Sequence, residues 1–159
     1  HLREAQLSKA VAARLPSRFV ALDQDALSLE TVQRDAGKLG VTTVHNSIKG
    51  LFRGPVSEEK FDLIYSTGLY DYLDDRLATK LTARMFEMLN PNGRLVIANF
   101  VPGLVCSAYM EAMLDWKLIY RDVAQVRNLA ANIPAGRTSR VEAFVEENGN
   151  IAFLDVSKS

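Results

Sequence analysis

FDLIYSTGLYDYL, residues 61–73, is the stretch on which the fold turns. Phe61, Leu63 and Ile64 read as a buried strand. The strand gives way to Ser66, Thr67 and Gly68, and then to Tyr70-Asp71-Tyr72. A solvated turn has no need of two aromatics, and a packed core disfavours a carboxylate between them. What comes before and after this stretch decides between those readings.

Upstream, LREAQLSKAVAARL (2–15) places Leu7, Ala10, Val11 and Leu15 at helical spacing, and Pro16 stops the helix. RFVALD (18–23) is a short apolar run ending in an acid and reads as a strand. ALSLETVQRDAGKL (26–39) is amphipathic along Leu29, Val32, Ala36 and Leu39, with Gly40 as its stop. VTTVHNSI (41–48) is β-branched and predicts a second strand. A polar loop containing Gly54, Pro55 and Ser57 then leads into strand 61–66.

Downstream, Asp74 or Asp75 is placed to cap a helix over 76–89, whose Leu77, Leu81, Met85 and Leu89 fall four apart. LNPNGRLVIANF (89–100) gives a helix end, a Pro-Asn-Gly turn and a fourth strand. Residues 107–132 read as two helical pieces, with Met110, Met113 and Leu114 as core. SRVEAFVEENGNIAFLDVS (139–157) predicts a hairpin turning at Asn148-Gly149. Strands alternating with helices imply an α/β fold: a doubly wound, mostly parallel sheet in a single domain, closed by an antiparallel hairpin.

Composition narrows the function. The 159 residues are 48% hydrophobic, enough for a core, and Lys+Arg and Asp+Glu balance at 19 each. A balanced chain lacks the basic surplus that phosphate binding uses, so nucleic acid is not the expected partner. No apolar run reaches the ~18–20 residues of a membrane span, so none is expected to cross a membrane. Cys106 is alone, which fits a reducing cytoplasm and excludes an internal disulfide. His1 and His45 form no metal-binding pair.

Ligands of open α/β sheets sit at the carboxyl ends of the strands. Here those ends are Asp23-Gln24-Asp25, His45-Asn46-Ser47, Ser66-Thr67-Gly68 and Asn99-Phe100, each polar or small after an apolar run. Asp23 is the sharpest of them: an acid at a strand tip accepts from ribose hydroxyls, unless it merely caps the following helix, for which Asp25 is better placed. Asn46 offers an amide to an adenine amino group, or forms a turn. Arg121 would pair a substrate carboxylate or a surface acid. No G-x-S-x-G elbow surrounds Ser66, so a hydrolase is not indicated. No catalytic base is assigned.

These residues, in this order, resemble the class I S-adenosylmethionine-dependent methyltransferases. RFVALDQDALSLETVQRDA resembles that family's second strand and following helix, with Asp23 as the ribose-binding acid. HNS resembles the adenine-lining segment, and FDLIYSTGLYDYL the fourth strand and its loop. LNPNGRLVIANF resembles the L-x-P-G-G turn and fifth strand, with Asn92 in place of the first glycine. The last hairpin resembles the antiparallel sixth and seventh strands. The resemblance implies S-adenosyl-L-methionine as cofactor, held by Asp23, Gln24, Asn46, Ser47, Ser66, Thr67 and Gly68. It also implies a small-molecule acceptor near Tyr70, Asp71, Tyr72, Asn99, Tyr109 and Arg121. Small residues at 66–68 would let backbone approach the cofactor, and Tyr70 and Tyr72 would wall the pocket.

One part of the pattern is missing. No glycine precedes Gly37, so the Gly-rich turn after the family's first strand has no counterpart. The resemblance therefore implies a fragment that begins at the helix after that turn. Strands 18–23 and 61–66 are then expected to close on each other, or to be covered by another chain, a route to homo-oligomers. The alternatives are a non-catalytic binding or assembly module with a methyltransferase-like fold, and a nicotinamide-dependent oxidoreductase, in which Asp23 would also hold a ribose. An antiparallel strand beside the fourth parallel strand favours the methyltransferase.

Overall fold

The computed structural model describes residues 2–104 and 107–159. The readings placed on His1, Cys106 and the side chain of Leu114 fall outside the described residues. The chain forms two compact units, residues 1–54 and 55–159.

In the first unit, the helix expected over 2–15 is two short ones, α1 (Arg3–Leu7) and α2 (Lys9–Ala12). Ser8 separates them: its N–H donates to Glu4 O, and its hydroxyl accepts the N–H of Val11. A serine that takes a backbone donor in this way starts a new helix rather than continuing the old one. Leu7 and Leu15 are consequently exposed, and only Val11 of the expected stripe is buried. β1 (Phe19–Asp23) and β2 (Val41–His45) pair in parallel, with Asp23 opposite His45. Between them, α3 (Ala26–Ala36) buries Leu29, Val32 and Ala36, as its periodicity predicts. Ala5, Ala21, Val32, Ala36 and Val41 make the core of this unit. α3 runs on into a 3₁₀ turn at Gly37–Leu39, and Gly40 ends it at φ +88°, where a side chain would be strained. β2 stops three residues short of the expected Ile48, because 48–52 fold into α4 (Ile48–Phe52).

The second unit opens with α5 (Pro55–Glu58), so the expected polar loop carries two short helices. β3 (Phe61–Ser66) pairs in parallel with β4 (Leu89–Phe100), and α6 (Asp75–Glu87) connects them. Asp74 caps α6 by accepting the N–H of Leu77 at 2.8 Å. α6 buries Ala78, Leu81, Thr82, Met85 and Phe86. The Pro91-Asn92-Gly93 turn lies within the span of β4, where the ladder jumps from Phe61–Leu89 to Leu63–Arg94. Asn92 sits there at φ +62°. Asparagine is among the few non-glycine residues that adopt this conformation at modest cost, which is why it can stand where the resemblance has a glycine. Gly93 has no such freedom: a Cβ there would lie 2.8 Å from Asn90 O and 3.1 Å from Phe61 O.

α7 (Ser107–Leu114) and α8 (Val123–Asn128) are the two helical pieces expected over 107–132. Met110 is buried, but Met113 is exposed rather than core. β5 (Thr138–Val145) and β6 (Ile151–Lys158) form the hairpin, and β6 inserts antiparallel between β4 and β5. Its loop is longer than a two-residue turn. Glu146 N–H donates to Ile151 O, and the Glu146 carboxylate accepts the N–H groups of Asn148 and Asn150. Gly149 supplies the positive φ.

The architecture is α/β and Rossmann-like, with parallel ladders in β1–β2 and β3–β4 and an antiparallel hairpin. Among the described residues, the first unit holds the ladder β1-β2 and the second the ladder β3-β4-β6-β5. β3 is therefore the first strand of its sheet. Its burial differs from expectation accordingly: Leu63 is 54% exposed, and Phe61 and Ile64 are only half-buried.

Candidate functional site

The strand ends of the first unit hold an acid that no helix uses. Asp25 is the N-cap of α3, its carboxylate accepting from Leu27 N, Ser28 N and Ser28 Oγ. The Ser28 hydroxyl, more than the backbone donors, holds the Asp25 carboxyl below the usual range. Asp23 takes no part in that cap. One of its oxygens accepts the N–H of Asp25 at 3.0 Å, and the side chain is exposed at the tip of β1. The Asp23 carbonyl accepts Asn46 N–H at 2.9 Å, which ties the tips of β1 and β2 together. His45 Nε2 lies 3.0 Å from the carbonyl of Gln24 and fixes that residue's backbone.

Asn46 is more constrained than its sequence context suggests. Its Oδ1 accepts the N–H of Ser47 at 2.9 Å. A Cβ added to buried Gly50 would meet the Asn46 amide at about 2 Å, so α4 needs glycine at that position to let Asn46 lie against it. The amide is thus held by its own turn and by α4.

The strand ends of the second unit divide into an open part and a closed one. Ser66 is half-buried, Thr67 and Gly68 are exposed, and Gly68 has φ +87° with open space where a Cβ would stand. Beyond them, Tyr70–Tyr72 forms a 3₁₀ turn. Tyr70 is fully buried, its hydroxyl 3.0 Å from Thr82 Oγ1, and burial raises its phenol well above the usual tyrosine range. Asp71 is 2% exposed, and Oδ1 accepts the N–H of Phe100 at 2.8 Å. Burial raises the Asp71 carboxyl above its ordinary value. The Phe100 donor, the Asp71 backbone N–H and, more weakly, the Arg121 charge pull the other way.

Arg121 is the keystone of the closed part, at 1% exposure. Its guanidinium donates to Tyr70 O at 2.8 Å, Leu73 O at 2.6 Å, Asn99 Oδ1 at 2.6 Å and Asp75 Oδ1 at 2.8 and 3.0 Å. Those five bonds use all five of its N–H groups. Asn99 is equally enclosed, its amide also donating to Ile119 O and Phe100 O. The polar atoms of Arg121, Asn99 and Tyr70, for which substrate roles were expected, are engaged inside the protein and hold the 70–75 turn to β4. Asp71 belongs to the same network. Tyr72 and Tyr109 remain exposed. Trp116, which was not among the expected site residues, donates its indole N–H to the Tyr72 hydroxyl. Only the shared aromatic character of FDLIYSTGLYDYL and YMEAMLDWKLIYR could have paired them.

The strand order is the discriminating feature: β6 runs antiparallel beside β4. The methyltransferase resemblance implies that arrangement and a nicotinamide oxidoreductase does not. The family model for the methyltransferase domain matches residues 4–93, over half of the chain. The chain belongs to the class I S-adenosylmethionine-dependent methyltransferases.

Solved structures share this fold. A "possible exported protein" from Bordetella parapertussis matches with a TM-score of 0.68 and 19% identity, over 89% of this chain and 53% of its own. The N-methyltransferase NodS from Bradyrhizobium japonicum, in complex with S-adenosyl-L-homocysteine, matches with a TM-score of 0.61 and 15% identity, over 89% and 66%. The magnesium protoporphyrin IX methyltransferase from Synechocystis PCC 6803, with the same molecule bound, gives 0.63 and 11%, over 92% and 66%. This methyltransferase chain thus spans between half and two thirds of the length of these three structures. A search of curated protein sequences gave no match. Among the described residues, no helix is long and apolar enough to cross a membrane.

Proposed function

We propose that the chain forms part of an S-adenosylmethionine-dependent enzyme that methylates a small-molecule acceptor. The observation that carries this reading is the exposed Asp23 carboxylate at the carboxyl end of β1, which Asp25 has relieved of helix capping. A carboxylate so placed accepts from both hydroxyls of the cofactor ribose. Gln24 and Ser47 flank that position, and Asn46 lines the adenine. In the second unit, the carboxyl end of β3 runs from half-buried Ser66 into exposed Thr67 and Gly68. Methyl transfer is a displacement at the sulfonium methyl group, so the cofactor brings the reactivity and the protein brings alignment and exclusion of water. The chain's own residues bind and orient; no proton acceptor is assigned.

The Gly-rich turn of the family has no counterpart among these 159 residues. Supporting this, no glycine precedes Gly37, and the chain spans only part of its solved relatives. The test is calorimetric titration with S-adenosylhomocysteine of a chain extended upstream through one further strand and its turn, beside the 159-residue chain. Binding by the extended form, weakened at least tenfold by Asp23→Ala, is expected. Binding by neither form overturns the reading in favour of a non-catalytic module.

A further inference from the structure

We propose that the groove between α8 and β5 in the second unit binds a monocarboxylic acid with an apolar body. Its residues carry no part of the cofactor or acceptor assignments, so the proposal stands apart from the methyltransferase reading.

β5 is the outer strand of its sheet, and α8 packs beside it. Together with segment 130–135 they border a groove of about 350 Å³, a size that suits a small molecule. Its walls are apolar and short. Ala130 and Ile133 are buried, Val141 is half-buried, and Ala124 and Ala131 are exposed along it. Thr138 adds no free proton, because its hydroxyl donates to Ala135 O at 3.0 Å. Longer side chains in place of the alanines would fill the groove, so the space exists because the sequence puts methyl groups there.

Two polar side chains on α8 specify the rest of the ligand. The Arg127 guanidinium donates through Nη1 to Val141 O at 2.8 Å. That bond holds the planar group and leaves its Nε–H and Nη2–H edge, which meets a carboxylate in two parallel bonds. Among the described residues no acid pairs with Arg127, and the side-chain amide of Asn128 beside it has no partner. The end of α8 does not oppose an anion: the carbonyls of Val126, Arg127 and Asn128 accept the N–H groups of Leu129, Ala130 and Ala131. Nor is the groove a place for an added strand. Glu146 N–H bonds Ile151 O, so in this register Val141 turns its backbone groups outward, and Arg127 already takes the carbonyl that a new strand would pair with. A carboxylate on an apolar body uses both the alanine walls and the guanidinium edge. An amine would be repelled, and a plain hydrocarbon would leave Arg127 unused.

The test titrates octanoate, and octanamide as its uncharged counterpart, into the 159-residue chain and follows the backbone amides in a ¹⁵N correlation spectrum. Octanoate is expected to shift the amides of Ala130, Ala131 and Val141 saturably at concentrations on the order of millimolar, as suits so small a ligand. Octanamide should bind at least about fivefold more weakly, since it gives up the charge-assisted bonds. Arg127→Met, which keeps an apolar stem and removes the charge, should weaken octanoate by about the same factor. Ala131→Leu, which keeps the charge and fills the groove from its exposed side, should weaken octanoate at least about tenfold. Equal affinity for the two probes removes the carboxylate and overturns the proposal. Octanoate binding that survives Ala131→Leu, or shifts centred on other amides, overturns the groove as the site. The absence of any saturable shift overturns it outright. The comparison of the two probes needs no variant, so it decides the matter even if Arg127→Met loosens the edge of β5.

Discussion

Two aspartates follow two parallel strands, and the chain treats them in opposite ways. At the end of β1, Asp23 is exposed, and its carboxylate accepts the backbone N–H of Asp25. Beyond the end of β3, Asp71 is buried, bonded to the N–H of Phe100 and set in the field of Arg121. The two are alike in sequence: an acid shortly after an apolar run. The difference lies in what surrounds each in space. Asp23 has a neighbour, Asp25, that takes over the helix cap and leaves it open to a ligand. Asp71 has a buried arginine and a strand-end amide that make it part of the scaffold. A carboxylate at a strand end is thus a candidate ligand only when its neighbours have satisfied the backbone without it.

The sharpest way to break this comparison is at Arg121. Arg121→Met would leave the carbonyls of Tyr70 and Leu73 and the Asn99 amide oxygen without their donor. Buried acceptors stripped of partners are costly, so urea denaturation should show a loss of about 3 kcal/mol or more. A loss below about 1 kcal/mol would mean that the network does not hold the second unit together.

Asp71→Asn tests the second aspartate through pH. Burial raises the Asp71 carboxyl in the fold, so the folded chain holds a proton that the unfolded chain has released. The stabilisation from that proton is complete below the ordinary aspartate value of about 3.9, and is lost as pH rises through the raised value. The asparagine variant lacks this term and keeps an acceptor for Phe100 N–H. Its stability relative to the native chain should therefore rise with pH across that window and then level off. Denaturation series at matched pH values for the two chains would reveal it, and a flat difference would place Asp71 in a more hydrated setting.

The smallest effects separate Asp25 from Asp23. Asp25→Ala removes an N-cap and should cost about 1 kcal/mol in urea denaturation. Asp23→Ala should change stability by no more than about 0.5 kcal/mol, in line with an exposed position. Equal losses at the two positions would mean that Asp23 is structural after all.

Periodicity made most of the frame legible. Helix 26–36 buries Leu29, Val32 and Ala36 of the stripe its spacing predicts, the four parallel strands lie where apolar runs end in polar residues, and the hairpin strands fall on the stretch expected for them. The failures share a cause: short-range signals are weak where an element is short or its partner is distant. α4 and α5 are five and four residues long, too brief for a repeat to show. The break at Ser8 depends on one hydroxyl taking one N–H. Arg121 reads as a surface residue because its acceptors lie 22 to 51 residues away in the chain. No local pattern encodes that meeting, yet it is what joins Asn99 to the carbonyl of Tyr70 through one guanidinium.

The position of β6 has a consequence for biosynthesis. β4 and β5 each pair with β6 and not with each other, so the sheet of the second unit cannot be completed before residues 151–158 have been made. Until then, β3 and β4 form a two-stranded parallel ribbon, a pairing of marginal stability in isolation. The ladder that completes the sheet joins Phe100 to Ile151 and Arg94 to Ser157, contacts separated by half a hundred residues or more. Such non-local closure is slow. As it leaves the ribosome, this unit would wait with the edge of β4 open, and the arrival of one strand would close it from both sides.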